Sequence, residues 1–430
     1  MGKLYAQHPV LDDYIQEGLR NNLTIKQQGF QLQKSMFALE EARGMFLPSI
    51  GFNASYVTAQ GGRTIAFPVG DIINPLYYAT GLAPVGSAPI PNVKEQLVPK
   101  NFYDTRIKTS LPILNAEIKY NRQIKQQQIG LVEADIQIIK RELVKDIKTA
   151  YFQYLKATEA ISVYENSKKL ILENQRVNQA LVTNQMANPT VLVRSRNELG
   201  RLEADLSGAR LAQQNAAAYL NFLLTRDLTI PVQADTTILT PTTDFTEPAH
   251  EREELRKLKT GLTLNETLLK LNQAYRIPKI GASLDLGSQG KISDVDLKQN
   301  PFWQIGLSVD IPIYAGNRNK LKVRQQQEEI SSQQAQLEQV QRQLDLQVFT
   351  ARNAVRSAQE TYKSRELQAE TARRYYRDIF RRYKENSATF IELLDAQTQI
   401  TSAELQATIA RYDIWLRLTE LERATAAYSL

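Results

Sequence analysis

The chain has 430 residues, of which 42% are hydrophobic and 23% charged, with a formal net charge of +7. This is the composition of a folded protein, and the abundance of Gln, Leu, Ala, Glu, Lys and Arg between sparse Gly and Pro is that of long helices. With no Cys, only His8 and His250, and only Met1, Met36, Met45 and Met186 as soft ligands, disulfides and thiolate chemistry are excluded and soft-metal relays disfavoured; basic residues interleaved with Asp, Glu and Gln argue against nucleic acid.

The opening MGKLYAQHPV lacks the basic and apolar regions of a secretory signal, so the chain is expected to be either cytoplasmic or a mature form whose signal has been replaced. No run of ~18 apolar residues occurs, so no transmembrane helix is encoded, and only strands could carry a membrane role. A first helix begins in VLDDYIQEGLRNNLTIKQQ (10 to 28) and closes at ARGMFLPSIGF. The following SIGFNASYV sets Ile50, Phe52, Ala54 and Tyr56 against Ser49, Gly51, Asn53 and Ser55, the period of a strand with one apolar and one wet face. A Gly- and Pro-rich stretch inside 61 to 92, GGRTIAFPVGDIINPLYYATGLAPVGSAPIPN, is expected to be a loop whose apolar residues form a packed cap or a docking surface. Alternation resumes in YDTRIKTSL, with Tyr103, Ile107 and Leu111 opposite Asp104, Arg106, Lys108 and Ser110.

From LPILNAEIKYNRQIKQQQI (111 to 129) a helix begins that meets no breaker until NQMANPT (184 to 190), roughly 70 residues and therefore roughly 100 Å at ~1.5 Å per residue. Its seam is Ile136, Ile139, Leu143, Ile147, Ala150, Tyr154, Ala157 and Ile161. A further helix runs to about Leu224, and TRDLTIPVQADTTILTPTTDFTEPAH (225 to 250) reads as a connection with room for a short strand or helix of its own.

The pattern then repeats. IGASLDL sets Ile280, Ala282, Leu284 and Leu286 against Gly281, Ser283 and Asp285, and WQIGLSVDI sets Trp303, Ile305, Leu307, Val309 and Ile311 against Gln304, Gly306, Ser308 and Asp310. IPIYAGNRNKLKVRQQQEEI (311 to 330) matches the start of the earlier helix, with Pro312 answering Pro112. The second seam, Leu337, Val340, Leu344, Val348, Ala351, Val355, Ala358 and Tyr362, reproduces the first in identical steps of 3, 4, 4, 3, 4, 3 and 4. The break falls in KENSATF (384 to 390), and a last helix runs to about Ala427. The domains expected are therefore a first repeat over 1–224, a connecting segment over 225–250 and a second repeat over 251–430.

Four strands of bilayer-crossing length, with the aromatics Phe102, Tyr103, Phe302 and Trp303 gathered toward one end, point to a transmembrane barrel in which Tyr103, Trp303 and Leu307 face lipid and Asp104, Arg106, Lys108, Asp285 and Asp310 face water. Even the smallest barrel needs ~8 strands and an open edge in lipid is forbidden, so the chain must oligomerise. Pro112 and Pro312 are expected at the junctions from strand to helix. A soluble helical-hairpin scaffold would need only the hairpins and not four such strands; an enzyme is disfavoured because carboxylates are scattered over helix surfaces and no phosphate-cradling glycine loop occurs.

VLDDYIQEGLRNNLTIKQQ, ARGMFLPSIGF, VDIPIYAGNRN (309 to 319) and RYKENSATFIELLDAQTQITSAEL (382 to 405), in this order and duplicated, resemble the TolC family of outer membrane efflux and export channels; the phrase GRTIAFPVGDIINPLY resembles members from Bacteroidetes. The resemblance implies a mainly α fold with a β-barrel part: a homotrimer whose twelve-stranded transmembrane β-barrel continues into a twelve-helix α-barrel. It implies no cofactor and no catalytic residue. It places the channel in the outer membrane of a Gram-negative bacterium, extending into the periplasm, in contact with outer membrane lipid, a periplasmic adaptor (membrane fusion) protein and an inner-membrane pump of RND, ABC or MFS type. It assigns Glu392 and Asp395 to a ring of carboxylates at the periplasmic gate, expected to attract cations and raise one another's pKa. The corresponding first-repeat residues, Leu192 and Ser195, are uncharged. The hairpin tips Gln185-Met186-Ala187 and Glu385-Asn386-Ser387 stand where the family contacts its adaptor, and depart from its usual Gly-containing tips. Ala388 replaces a basic residue found after the second tip in some members, and Arg194 is the nearest candidate gate partner.

Overall fold

A computed structural model describes residues 9–82, 88–97, 100–235, 252–291, 300–428 and 430. The chain divides into two compact units: one is Met1–Phe37, Gln126–Glu266 and Gln327–Leu430, the other Ala38–Lys125 and Thr267–Gln326. Fourteen longer elements follow in chain order among the described residues: α1 Pro9–Asn21, α2 Leu23–Gly44, β1 Ser49–Val57, β2 Thr64–Phe67, α3 Val69–Ala79, β3 Val93–Gln96, β4 Phe102–Leu114, α4 Ala116–Thr183, α5 Thr190–Leu224, α6 Glu253–Gln273, β5 Lys279–Lys291, β6 Pro301–Asp310, α7 Arg318–Lys384 and α8 Phe390–Thr425.

The first unit is helical, and its packing follows the two seams. Every one of the sixteen seam residues is buried or half-buried, whereas Leu346 and Phe349, which lie off the second seam, are exposed. The first hydrophobic cluster joins Leu11, Tyr14 and Ile15 of α1 to Ile147, Tyr151 and Leu155 of α4 and to Leu220 and Leu224 of α5. Gly18 lets α1 approach, because a Cβ there would stand 2.4 Å from the Ile147 side chain. Phe152 stacks on Trp415 at 5.2 Å between centroids. After α5 the chain stays anchored, with the Tyr154 hydroxyl donating to the Val232 carbonyl (2.8 Å) and the Gln233 N–H donating to the Tyr14 hydroxyl (2.9 Å). The rest of the expected connecting segment, from 236 to 250, lies outside the described residues.

Ion pairs fasten the start of α6 to the end of α8: Arg423 binds Glu142 and Glu254, Arg252 binds Glu254, and Lys148 binds Glu422. Burial alone would raise the Glu254 carboxyl, but the hydrogen bonds from Arg252 and Arg423 outweigh it and bring the pKa down to about 2.

The second unit is built on a four-stranded antiparallel sheet in the order β1-β4-β5-β6, so β1 and β6 are unpaired edges. The alternation fixes its faces. Phe52, Ile107, Leu286 and Ile305 share the apolar face, which is exposed, and Asn53, Arg106, Gly287 and Phe302 align across the other. The two expected strand-to-helix junctions differ. Pro112 lies inside β4, beside a register shift between Pro112 and Leu114, and the Asn115 side chain accepts from the Glu117 N–H (3.0 Å) to start α4. Pro312 follows the end of β6, and α7 begins only after Gly316 and Asn317, both at positive φ.

The stretch expected as a loop, within 61 to 92, carries structure. β2 pairs with β3 and α3 lies between them. Its Gly and Pro content suggested irregularity, but Pro68 stands just before α3, and an Asn clasp supplies the rest: Asn74 exchanges two hydrogen bonds with the backbone of Ile90 (2.9 Å each), and Asn92 donates to Asp71 (2.9 Å). A Cβ on Gly70 would stand 2.1 Å from the Ile90 carbonyl.

Candidate functional site

The two hairpin tips are built alike at their first half. In each, the incoming helix ends with a residue in the left-handed region, Gln185 (φ 58°) and Asn386 (φ 57°). Each closes a Schellman pair of backbone bonds: Gln185 N–H to Val182 and Met186 N–H to Leu181, Asn386 N–H to Tyr383 and Ser387 N–H to Arg382. The matching turn residues are thus Gln185 and Asn386, which shifts by one the sequence pairing of Met186 with Asn386. Gln185 and Glu385 are exposed, while Ala187 and Ser387 line, with Met186 and Asn386, a cleft of about 460 Å³ between the tips, which also reaches Glu392.

The outgoing helices start differently. Thr389 caps α8 in a full capping box: the Glu392 N–H donates to the Thr389 hydroxyl (3.3 Å), and the Thr389 N–H and hydroxyl donate to the Glu392 carboxylate (2.6 and 2.9 Å). These bonds, the backbone one first, hold the Glu392 pKa below its ordinary value, and the charge of Arg382 adds to the effect. This is the direction opposite to that expected of mutually repelling ring carboxylates, because within one chain the carboxylate is occupied by its own helix start. Asp395 lies one turn on, exposed, accepting from Gln399 (2.7 Å). Arg194 is exposed and makes no ion pair among the described residues, while Ser195 is buried.

Behind the tips stands a feature the sequence reading missed. Asn174 donates to Gln397 (2.6 Å) and accepts from Tyr376 (3.0 Å), Tyr383 donates to Asn178 (2.5 Å), and the Ser167 and Thr401 hydroxyls meet at 2.8 Å. These side chains join α4 to α7 and α8 amid Val177, Ile379, Leu393 and Ile400. Burial raises Tyr376 to about 12, so its proton stays in place, and the buried Asn178 amide nitrogen lacks a hydrogen-bond partner. The signal was present: Ser167, Asn174 and Asn178 continue the α4 seam at steps of three and four, as polar residues in apolar positions.

On the sheet, Arg106 binds both Asp104 and Asp285 and lies over the Phe302 ring at 5.5 Å. Gly287 makes the crossing possible, since a Cβ there would meet the Thr105 carbonyl at 2.2 Å and the Arg106 Cβ at 2.9 Å. Lys108 is exposed and outside this cluster, and Asp310 stands opposite Lys279 at the far end of the ladder. Trp303 and Leu307 are exposed on the apolar face. Tyr103 corrects its assignment to lipid: it is 6% exposed, tucked against Gly290 with its hydroxyl 3.1 Å from Ser288 Oγ, because the glycine opposite leaves room for the ring to lie down. Among the described residues no helix is long and apolar enough to cross a membrane, and no cluster of acidic or His residues is arranged to hold a metal.

Residues 249–427 match the family model described as outer membrane efflux protein. A curated relative, the outer membrane efflux protein BepC of Brucella suis biovar 1 (strain 1330), is 21% identical over 157 residues, 36% of this chain and 34% of the relative, so the match spans about a third of that protein. Among solved structures, the outer-membrane channel OprN aligns with a TM-score of 0.78 at 17% identity over 98% of this chain and 90% of its own. The CmeC channel of Campylobacter jejuni gives 0.77 at 15% over 96% and 85%, and the open state of MtrE from Neisseria gonorrhoeae gives 0.76 at 18% over 97% and 89%. At these identities the likeness establishes the fold, over nearly the whole chain.

Proposed function

We propose that this chain, a member of the outer membrane efflux protein family, is the passive outer membrane duct of a tripartite efflux or type I secretion assembly, working as a homotrimer. As a channel it is not an enzyme, and the cargo's driving force would come from an inner-membrane pump through a periplasmic adaptor. One observation carries the reading: a four-stranded sheet whose apolar face and both edges are unsatisfied in one chain. Copies pairing β1 with β6 close it, and three give the twelve strands that meet the demand for no open edge in lipid.

At the other end the reading assigns the gate to the tips. Asp395 is the carboxylate free to form a ring about a threefold axis. Glu392, committed to Thr389, fixes the start of the helix that carries it. The cleft lined by Met186, Ala187, Asn386 and Ser387 is the adaptor-facing surface. The ladder of Asn174, Asn178, Tyr376 and Tyr383 supports a gate that moves between discrete packings, since buried polar pairs specify register.

The test is current through the purified protein in a planar lipid bilayer, native against Asp395→Asn. Discrete cation-preferring openings, with the preference weakened in the variant, are expected. Openings unchanged by Asp395→Asn would remove the gate assignment and leave the channel; a folded protein that inserts in no lipid and stays monomeric would overturn the reading.

A further inference from the structure

The insertion between β1 and β4 is a built arm with an apolar surface that nothing in one chain covers. Six residues separate β1 from β2 and five separate β3 from β4, so the β2–β3 pair prolongs the β1–β4 ladder. The joint is pinned: Tyr56 and Thr58 both donate to Asn101 (2.9 and 3.0 Å), and the Leu97 N–H donates to the Arg63 carbonyl (3.0 Å). At its tip the Asn74 and Asn92 clasp holds α3 in place. Ile72 and Leu76, one turn apart on α3, are 69% and 70% exposed, and Ile65, Phe67 and Val93 of the hairpin are exposed too. A rigid arm does not hold such a surface in water without a partner.

We propose that α3 and the β2–β3 hairpin form a subunit-to-subunit clasp, seated on a second copy of this chain beyond the barrel seam. Two facts choose that occupant. The arm grows from β1, the open edge that must pair with the next copy, so it continues the one interface the sheet cannot do without. Its surface is nearly uncharged: from Thr64 to Leu82 the only ionisable carboxylate is Asp71, held by Asn92, and there is no Lys or Arg. A face meant for anionic lipid headgroups would carry basic residues. The proposal rests on the trimeric reading and adds to it a clasp outside the strands.

The absence of Cys makes the test direct. Leu76→Cys is introduced into the full chain, and the purified protein in detergent, shown to be trimeric by light scattering, is treated with a short bismaleimide. Most of the chain is expected to shift to dimer and trimer positions on a denaturing gel, and Ile72→Cys is expected to do the same should Leu76→Cys fold poorly. A trimeric preparation in which both variants stay at the monomer position overturns the clasp alone. So does quenching of a bimane on either cysteine by spin-labelled lipid, without cross-linking, which would place the helix in the membrane. A folded but monomeric preparation would defeat the trimeric reading first, and the clasp with it.

Discussion

The two hairpins share a backbone plan and differ in what their tips are made of. Both end the incoming helix with the same pair of Schellman bonds, yet α5 starts at Pro189 with no side-chain cap from that residue, whereas α8 starts from a complete capping box. Three residues into those helices the contrast sharpens: Val193 is 67% exposed and Leu393 wholly buried, at matching positions. Duplication has thus kept the turn and changed the load. The second tip is stiffly capped, packed and acidic; the first is looser and uncharged.

The largest expected effect lies in that packing difference. Leu393→Ala should cost about 2–5 kcal/mol, since it leaves a cavity among Val177, Ile379 and Ile400, while Val193→Ala should change stability by less than about 0.5 kcal/mol. Denaturant midpoints of the two variants measure it, and equal losses would mean that Val193 is covered in the assembled protein. Next comes Tyr383→Phe, which strips the hydrogen bond from Asn178 and leaves a buried amide wholly unpaired, for about 1–3 kcal/mol. Replacing both members, Tyr383→Phe with Asn178→Leu, should recover part of that loss in the same titration.

The caps give a smaller effect with a sign in pH. Thr389→Ala should cost about 1 kcal/mol. Glu392 binds its proton less readily in the folded chain than its ordinary value of 4.5 implies, so its contribution is complete above that value and is lost as pH falls below it. Amide exchange at the start of α8 should accelerate on acidification in the native chain, over and above the intrinsic change, and lose that extra dependence in Glu392→Gln. The start of α5, where no carboxylate stands in the first turn, should show none.

Much of this was open to reading before any coordinates. Period-two alternation gave the sheet's faces because a strand buried on neither side still sorts its residues between lipid and water, and the repeated 3-and-4 spacing gave both seams. Glu392 was misread for a physical reason: its family position suggested a ring, while the Thr389-x-x-Glu392 spacing, a capping signature, lay in the same stretch. The arm was hidden because Gly and Pro count as breakers in a composition scan, whereas here Pro68 precedes the helix and Gly70 makes room for Ile90. Tyr103 escaped because its burial depends on Gly290, which lies 187 residues away in sequence and only meets it across the ladder.

The smallest effect is also the one that most directly separates the tips. Both Gln185 and Asn386 sit at positive φ, where an ordinary side chain costs ~1–2 kcal/mol and Asn, which bonds locally, costs less. Glycine removes that strain, but the unfolded chain then gains freedom worth ~0.5–1 kcal/mol. For Gln185→Gly the two terms leave a gain of about 0.5 kcal/mol; for Asn386→Gly they nearly cancel. A higher unfolding midpoint in the first variant and none in the second is therefore expected. Were Asn386→Gly to stabilise equally, the Asn would be bearing the full left-handed strain, and the second tip would be held in shape by its capping box and the buried Leu393 rather than by the turn residue itself.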